Sequence, residues 1–80
     1  MEEMEVIMMP LSMISSGESG VINRISGRDD TKRFLNNLGF VEGGSIRVIS
    51  KVEGNIIVSI MDSRIAIGKN MANKIMVERN

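Results

Sequence analysis

From Ile46 onward the apolar residues settle into a period of two, and this alternation restricts the fold more than any other feature of the chain. Ile46, Val48 and Val52 alternate with Arg47 and Lys51, while Ile56, Val58 and Ile60 alternate with Ile57, Ser59 and Met61. Successive side chains on a strand point to opposite faces of a sheet, so the pattern describes two strands with one face in a core. Glu53-Gly54-Asn55 between them is a tight hairpin signal, with Gly54 as its structural residue. A second turn at Asp62-Ser63 leads into a short strand at Ile65, Ala66 and Ile67. Gly68–Asn73 reads as one turn of helix that packs Met71 or Ala72 inward, and Ile75 to Glu78 closes the chain as a last strand.

The first half is less regular. Residues 1–9 read as a flexible or loosely docked leader, in which Val6, Ile7, Met8 and Met9 offer an apolar cover. Pro10 opens a short extended stretch, Leu11 to Ile14, which Ser15-Ser16-Gly17 stops, and Gly20 to Ile25 reads as a strand. One α-helix is predicted, from about Asp30 to Leu38. Asp29 or Asp30 is suited to cap it, because a carboxylate there accepts orphan N–H groups and complements the positive end of the dipole. Phe34, Leu35 and Leu38 form its apolar stripe, and Gly39 suits the left-handed position that ends a helix. Residues 10–80 are thus expected to form a single, mainly β domain. Five or six short strands with one helix suggest a small SH3-like barrel, which would also remove the exposed edges of such Ile/Val-rich strands.

Composition narrows the chemistry. The 80 residues contain no Cys, His, Trp or Tyr, which excludes a disulfide staple, a zinc finger, a thiolate nucleophile and a Ser-His-Asp triad. Ten Lys+Arg balance ten Asp+Glu, so a dense basic face for nucleic acid is not expected. Glu2, Glu3 and Glu5 have the wrong sign for a targeting leader. The apolar run that follows is far shorter than the ~20 residues that cross a bilayer, so a cytoplasmic protein without membrane insertion is expected. Asp29-Asp30 and Glu2-Glu3-Glu5 are the only carboxylate clusters; the first reads as a helix cap and the second as a solvated tail. No catalytic residue, metal site or cofactor is expected.

Leu35-x-x-Leu38-Gly39-Phe40-x-x-Gly43 resembles the helix-and-turn signature of the FeoA family, the small cytosolic accessory proteins of bacterial ferrous iron uptake. The order around it is also similar to that family: Leu11 and Gly17, Gly20-Val21-Ile22, the helix, the Val48-to-Val58 hairpin, Ile65-Ala66-Ile67, then Ala72 and Ile75-x-Val77. The chain departs from the family pattern at Lys32, Glu42, Ile56 and Gly68. The resemblance implies an SH3-like barrel in which Leu35, Leu38, Gly39 and Gly43 are structural. It also implies a partner, the FeoB-type Fe(II) transporter, a membrane protein with a cytosolic GTP-hydrolysing domain. The same barrel resembles the C-terminal domain of DtxR-type metal-dependent repressors, so a stand-alone regulatory domain is the alternative. An RNA-binding barrel is a poorer fit, because it calls for stacking aromatics and net positive charge.

Six residues are expected to meet the partner. Ile57 and Met61 fall on the outer face if Ile56, Val58 and Ile60 point inward, and Ile49 on the preceding strand extends that patch. Phe40 lies just past the helix-ending glycine. Arg24, Lys32 and Arg33 surround the helix start, where they could meet acidic groups. Weak self-association is left open.

Overall fold

The alternation over residues 45–60 folds as a hairpin in the computed structural model, which describes residues 7–79. β3 (Ser45–Val52) and β4 (Asn55–Ile60) pair antiparallel, joined by Glu53 and Gly54 with φ of 47° and 82°. Positive φ at both turn residues matches the right-handed twist of the flanking strands. Ile46, Val48, Ile56, Val58 and Ile60 are buried as the alternation requires. Val52 is not. Val48 pairs with Val58 and Ser50 with Ile57, so Ile49 is an extra residue on β3. Such a bulge reverses the inside–outside order beyond it, which leaves Val52 half-exposed and brings Lys51 opposite buried Ile56.

The remaining elements are β1 (Ile7–Pro10), a 3₁₀ turn (Leu11–Met13), β2 (Ser19–Ile25), α1 (Asp29–Leu38), β5 (Ser63–Gly68), α2 (Lys69–Ala72) and β6 (Ile75–Arg79). All six strands are antiparallel in one curled sheet of order β1-β6-β2-β3-β4-β5. The protein is therefore mainly β, as expected, with the SH3-like strand count. Two expectations need correction. The stretch from Leu11 to Ile14 is not extended throughout: Leu11–Met13 is a 3₁₀ turn closed by the Ile14 N–H donating to Leu11 O at 3.1 Å, and Leu11 and Ile14 at its two ends are both fully buried. The barrel also retains edges, since β1 and β5 each pair on one side only. Of the leader, residues 7–9 form β1 on the edge of β6, with Ile7 opposite Arg79 and Met9 opposite Val77; residues 1–6 lie outside the described part.

Among the described residues fifteen apolar side chains make the core, drawn from every strand except β1, and no polar side chain is buried with them. Leu38, Ile65, Met9 and Met71 pack against it from the rim. β2 crosses β6 so closely that a Cβ on Gly20 would stand 2.5 Å from both the Glu78 carbonyl oxygen and Val77 Cγ1. Gly20→Ala is expected to cost about 1–3 kcal/mol, the range for overpacking, because one of the clashing atoms is backbone. A urea melt of that variant within about 0.5 kcal/mol of the parent, the scale of an ordinary surface change, would show that the two strands can part.

Candidate functional site

The local structure around α1 follows from its last turn. Gly39 adopts φ 110° and ψ 0°, where a side chain bearing Cβ is strained. Its N–H donates to Asn36 O at 3.0 Å, and the Phe40 N–H donates to Leu35 O at 3.0 Å. This pair of bonds satisfies two orphan carbonyls, and it places the residue after the glycine directly beside the residue five positions earlier. Leu35 and Phe40 are both fully buried. Phe40 is thus a core residue and not a docking residue, because the motif that ends the helix folds its ring inward.

The same geometry turns Phe34 outward. Residues on a helix advance about 100° each, so Phe34 lies about a quarter-turn away from the buried Leu35. Phe34 is 50% exposed, and Leu35 is the only buried residue of the ten in α1. Phe34 is therefore not part of the core stripe. Nor do the two aspartates cap the helix: Asp29 and Asp30 occupy its first turn, and Arg28 stands at the cap position without a side-chain hydrogen bond.

Past the helix, Val41 to Gly44 form a turn in which the Gly44 N–H donates to Val41 O at 3.0 Å and Gly43 has φ 85°. The Gly43 N–H donates to Ile22 O at 2.8 Å, which fastens this turn to β2. Val41 stays 40% exposed, and with Ile25, Lys32, Asn36 and Glu42 it lines a shallow cavity of about 270 Å³. The sequence pointed to Phe40 where Val41 is the exposed neighbour. The signal available was the helix-ending glycine, which assigns the inward place to the residue that immediately follows it.

Arg24 on β2 and Lys32 and Arg33 on α1 are all exposed. Lys32 shares the cavity with Val41, whereas Arg33 points about 160° away from Leu35, to the outer side of the helix. Glu18, a candidate counter-charge for this basic group, is taken elsewhere: it pairs with Arg79 at 2.6 Å and accepts the Ser15 N–H at 3.1 Å. That is the only ion pair among the described residues, so Arg24, Lys32 and Arg33 keep their charge for solvent or a partner.

Ile57 lies on the outer face of β4 between Ser50 and Ala66, in the register the alternation predicts, and is partly buried there. Met61 begins the β4–β5 turn and is 74% exposed, with its Sδ 3.6 Å from where a Cβ on Gly39 would stand. It therefore lies beside the end of α1, whereas Ile57 lines neither cavity that Lys32 or Met61 lines. Met61 also has φ 49°, a left-handed conformation that costs a residue with Cβ roughly 1–2 kcal/mol. Among the described residues, no three His, Cys, Asp or Glu side chains gather where they could hold a metal ion. No helix there is long and apolar enough to cross a membrane.

Comparison with known proteins adds what geometry alone leaves open. Residues 9–79 match the FeoA domain family. The chain belongs to that family. It is 35% identical over 71 residues to Fe(2+) transport protein A of Methanocaldococcus jannaschii, an alignment spanning 89% of this chain and 87% of the relative. The crystal structure of an iron uptake regulatory protein (FeoA) superposes with a TM-score of 0.83 at 34% identity, covering 89% of this chain and 95% of that one. The resemblance carried by Leu35, Leu38, Gly39, Phe40 and Gly43 is thereby confirmed. A manganese-dependent transcriptional repressor superposes with a TM-score of 0.85 at 23% identity, over 95% of this chain and 44% of the repressor. At that identity the likeness is one of fold, and the FeoA-domain barrel shares it without sharing a demonstrated role.

Proposed function

We propose that this FeoA-domain chain is a non-enzymatic accessory protein of ferrous iron transport. It docks on the cytosolic side of a FeoB-type Fe(II) transporter and modulates that partner's assembly, gating or GTP turnover. The observation that carries the docking surface is α1 itself: a ten-residue helix that buries only Leu35 and holds Phe34 half-exposed. An isolated helix of this length is marginal in water, and with only Leu35 buried and Leu38 at the rim of the core its Phe34 flank is left for another molecule to cover. The names of the related transport protein and of the FeoA crystal structure supply the iron-transport context.

The docking surface comprises Lys32, Arg33, Phe34, Val41 and Met61, with Arg24 beside the helix start and Ile57 as a second, outlying contact. Phe34 and Val41 replace Phe40 as its apolar anchors. The positive φ of Met61 and Asp62, 49° and 65°, belongs to the two-residue turn between paired Ile60 and Ser63, and that turn holds Met61 beside the end of α1. Iron is the transporter's cargo in this scheme, and the chain acts on the transporter without ligating the ion. Its place is the cytoplasm, and it meets nucleic acid in no step.

The test is calorimetric titration of the chain into the full-length FeoB-type transporter of the same organism, reconstituted in nanodiscs. Saturable binding is expected, and an absence of heat together with an absence of co-purification would overturn the reading. Ile57→Asp is expected to fold as the parent does and to weaken this binding. An unfolded Ile57→Asp variant would instead place Ile57 in the core and contradict its outer position.

A further inference from the structure

We propose that the cavity between the β3–β4 turn and α2 is a second docking pocket, built for an acidic segment of a partner protein. It would take one carboxylate between Lys51 and Lys69 and an aliphatic neighbour on Val52 and Ile56. These residues, with Ser12, Glu53, Gly54 and Asn55, enclose about 260 Å³. The pocket shares no residue with the α1 surface, and the inference does not rest on which protein α1 meets.

Three observations support it. First, the bulge at Ile49 brings Lys51 onto the inward side at the barrel's end, where its Nζ donates to Ser12 O at 2.9 Å. An ammonium has three donors, so two remain. Lys69 is exposed, and neither lysine is in an ion pair among the described residues. Second, the two cations are held in relation to each other. The Lys69 N–H donates to Gly54 O at 3.0 Å, which ties the start of α2 to the hairpin turn, and no atom lies within 4 Å of a Cβ placed on Gly54. Backbone there is open to an incoming chain. Third, the lining is mixed: beside the two lysines it includes half-exposed Val52 and buried Ile56.

Charge complementarity selects the occupant. Two lysines against Glu53 leave a single net positive charge, which suits one carboxylate better than a phosphate carrying nearly two charges. The apolar wall gives a bare anion nothing to cover it, whereas an aliphatic side chain next to the carboxylate fills it.

The test uses the full chain, labelled for amide NMR, and the peptide acetyl-Ala-Leu-Glu-Leu-Ala-amide against its Gln counterpart, each to millimolar concentration. Saturable shifts clustered at Gly54, Asn55 and Lys69 are expected with the Glu peptide, and binding about fivefold weaker with the Gln peptide, the size of one exposed charge pair. Lys69→Gln should show the same loss with an unchanged spectrum elsewhere, because its side chain is exposed and is in no ion pair among the described residues. Lys51→Arg should retain binding. Equal affinity for the two peptides, no shifts, or shifts dispersed over the surface would overturn the proposal. So would tighter binding of inorganic phosphate at the same amides, which would make the pocket a phosphate site.

Discussion

Phe40→Ala is expected to remove about 3–5 kcal/mol of folding free energy, the range for deleting a buried aromatic side chain. Phe40 is fully buried and is the largest side chain in the core. Its backbone N–H also closes the turn that ends α1, so the cavity forms where helix and barrel meet. A domain of 80 residues has roughly 4–12 kcal/mol of stability in total, so the variant should lose at least about a quarter of it. Two comparisons make the result specific. Phe40→Leu keeps most of the volume and should cost about 1.5 kcal/mol or less. Phe34→Ala, at the chain's only other phenylalanine, should change stability by about 0.5 kcal/mol or less. Urea unfolding of the three variants measures all of this. Equal losses at the two phenylalanines would contradict the inward turn of Phe40.

Phe34→Glu is expected to leave the melt near that of the parent and to weaken transporter binding by about 2 kcal/mol, roughly thirtyfold in Kd. An exposed aromatic beside cations is the usual anchor of a protein interface, because it covers a large area at a small entropic cost. Lys32→Ala should show a smaller loss and a shallower salt dependence, as expected of a steering charge. If Phe34→Glu binds as tightly as the parent does, α1 is not the anchor of the docking surface.

The parts of this fold that were legible in the sequence are those set by neighbours in the chain. The alternation over 46–60 located a hairpin, Gly54 its turn, and Gly39 the end of the helix, because each depends on a few adjacent dihedrals. The bulge at Ile49 left only a faint mark, an apolar Ile49 and a polar Ser50 where the alternation calls for the reverse, and that mark does not by itself distinguish a bulge from an apolar outer position. The bulge matters nonetheless, because it sends Val52 outward and Lys51 inward. The pairing of β1 with β6 joins residues some seventy positions apart, and no local pattern announces it. The candidate site was half legible. Arg24, Lys32, Arg33 and Met61 are exposed as expected, and Ile57 holds its register. The two phenylalanines were exchanged: Phe40 was legible from the glycine that ends the helix, whereas helical spacing groups Phe34 with Leu35 and Leu38, and the side of that group facing the barrel is decided by the packing of Leu35 into the core.

Whether α1 and the turn after it form the face that meets the transporter is decided by titrating isotope-labelled chain with the cytosolic domain of the FeoB-type transporter of the same organism and following every amide by NMR. The expected result is saturable shifts confined to Lys32 through Val41 and Met61, with the amides of β6 unmoved. Saturable shifts centred on β1 and β6 instead, with those of α1 unmoved, would contradict it.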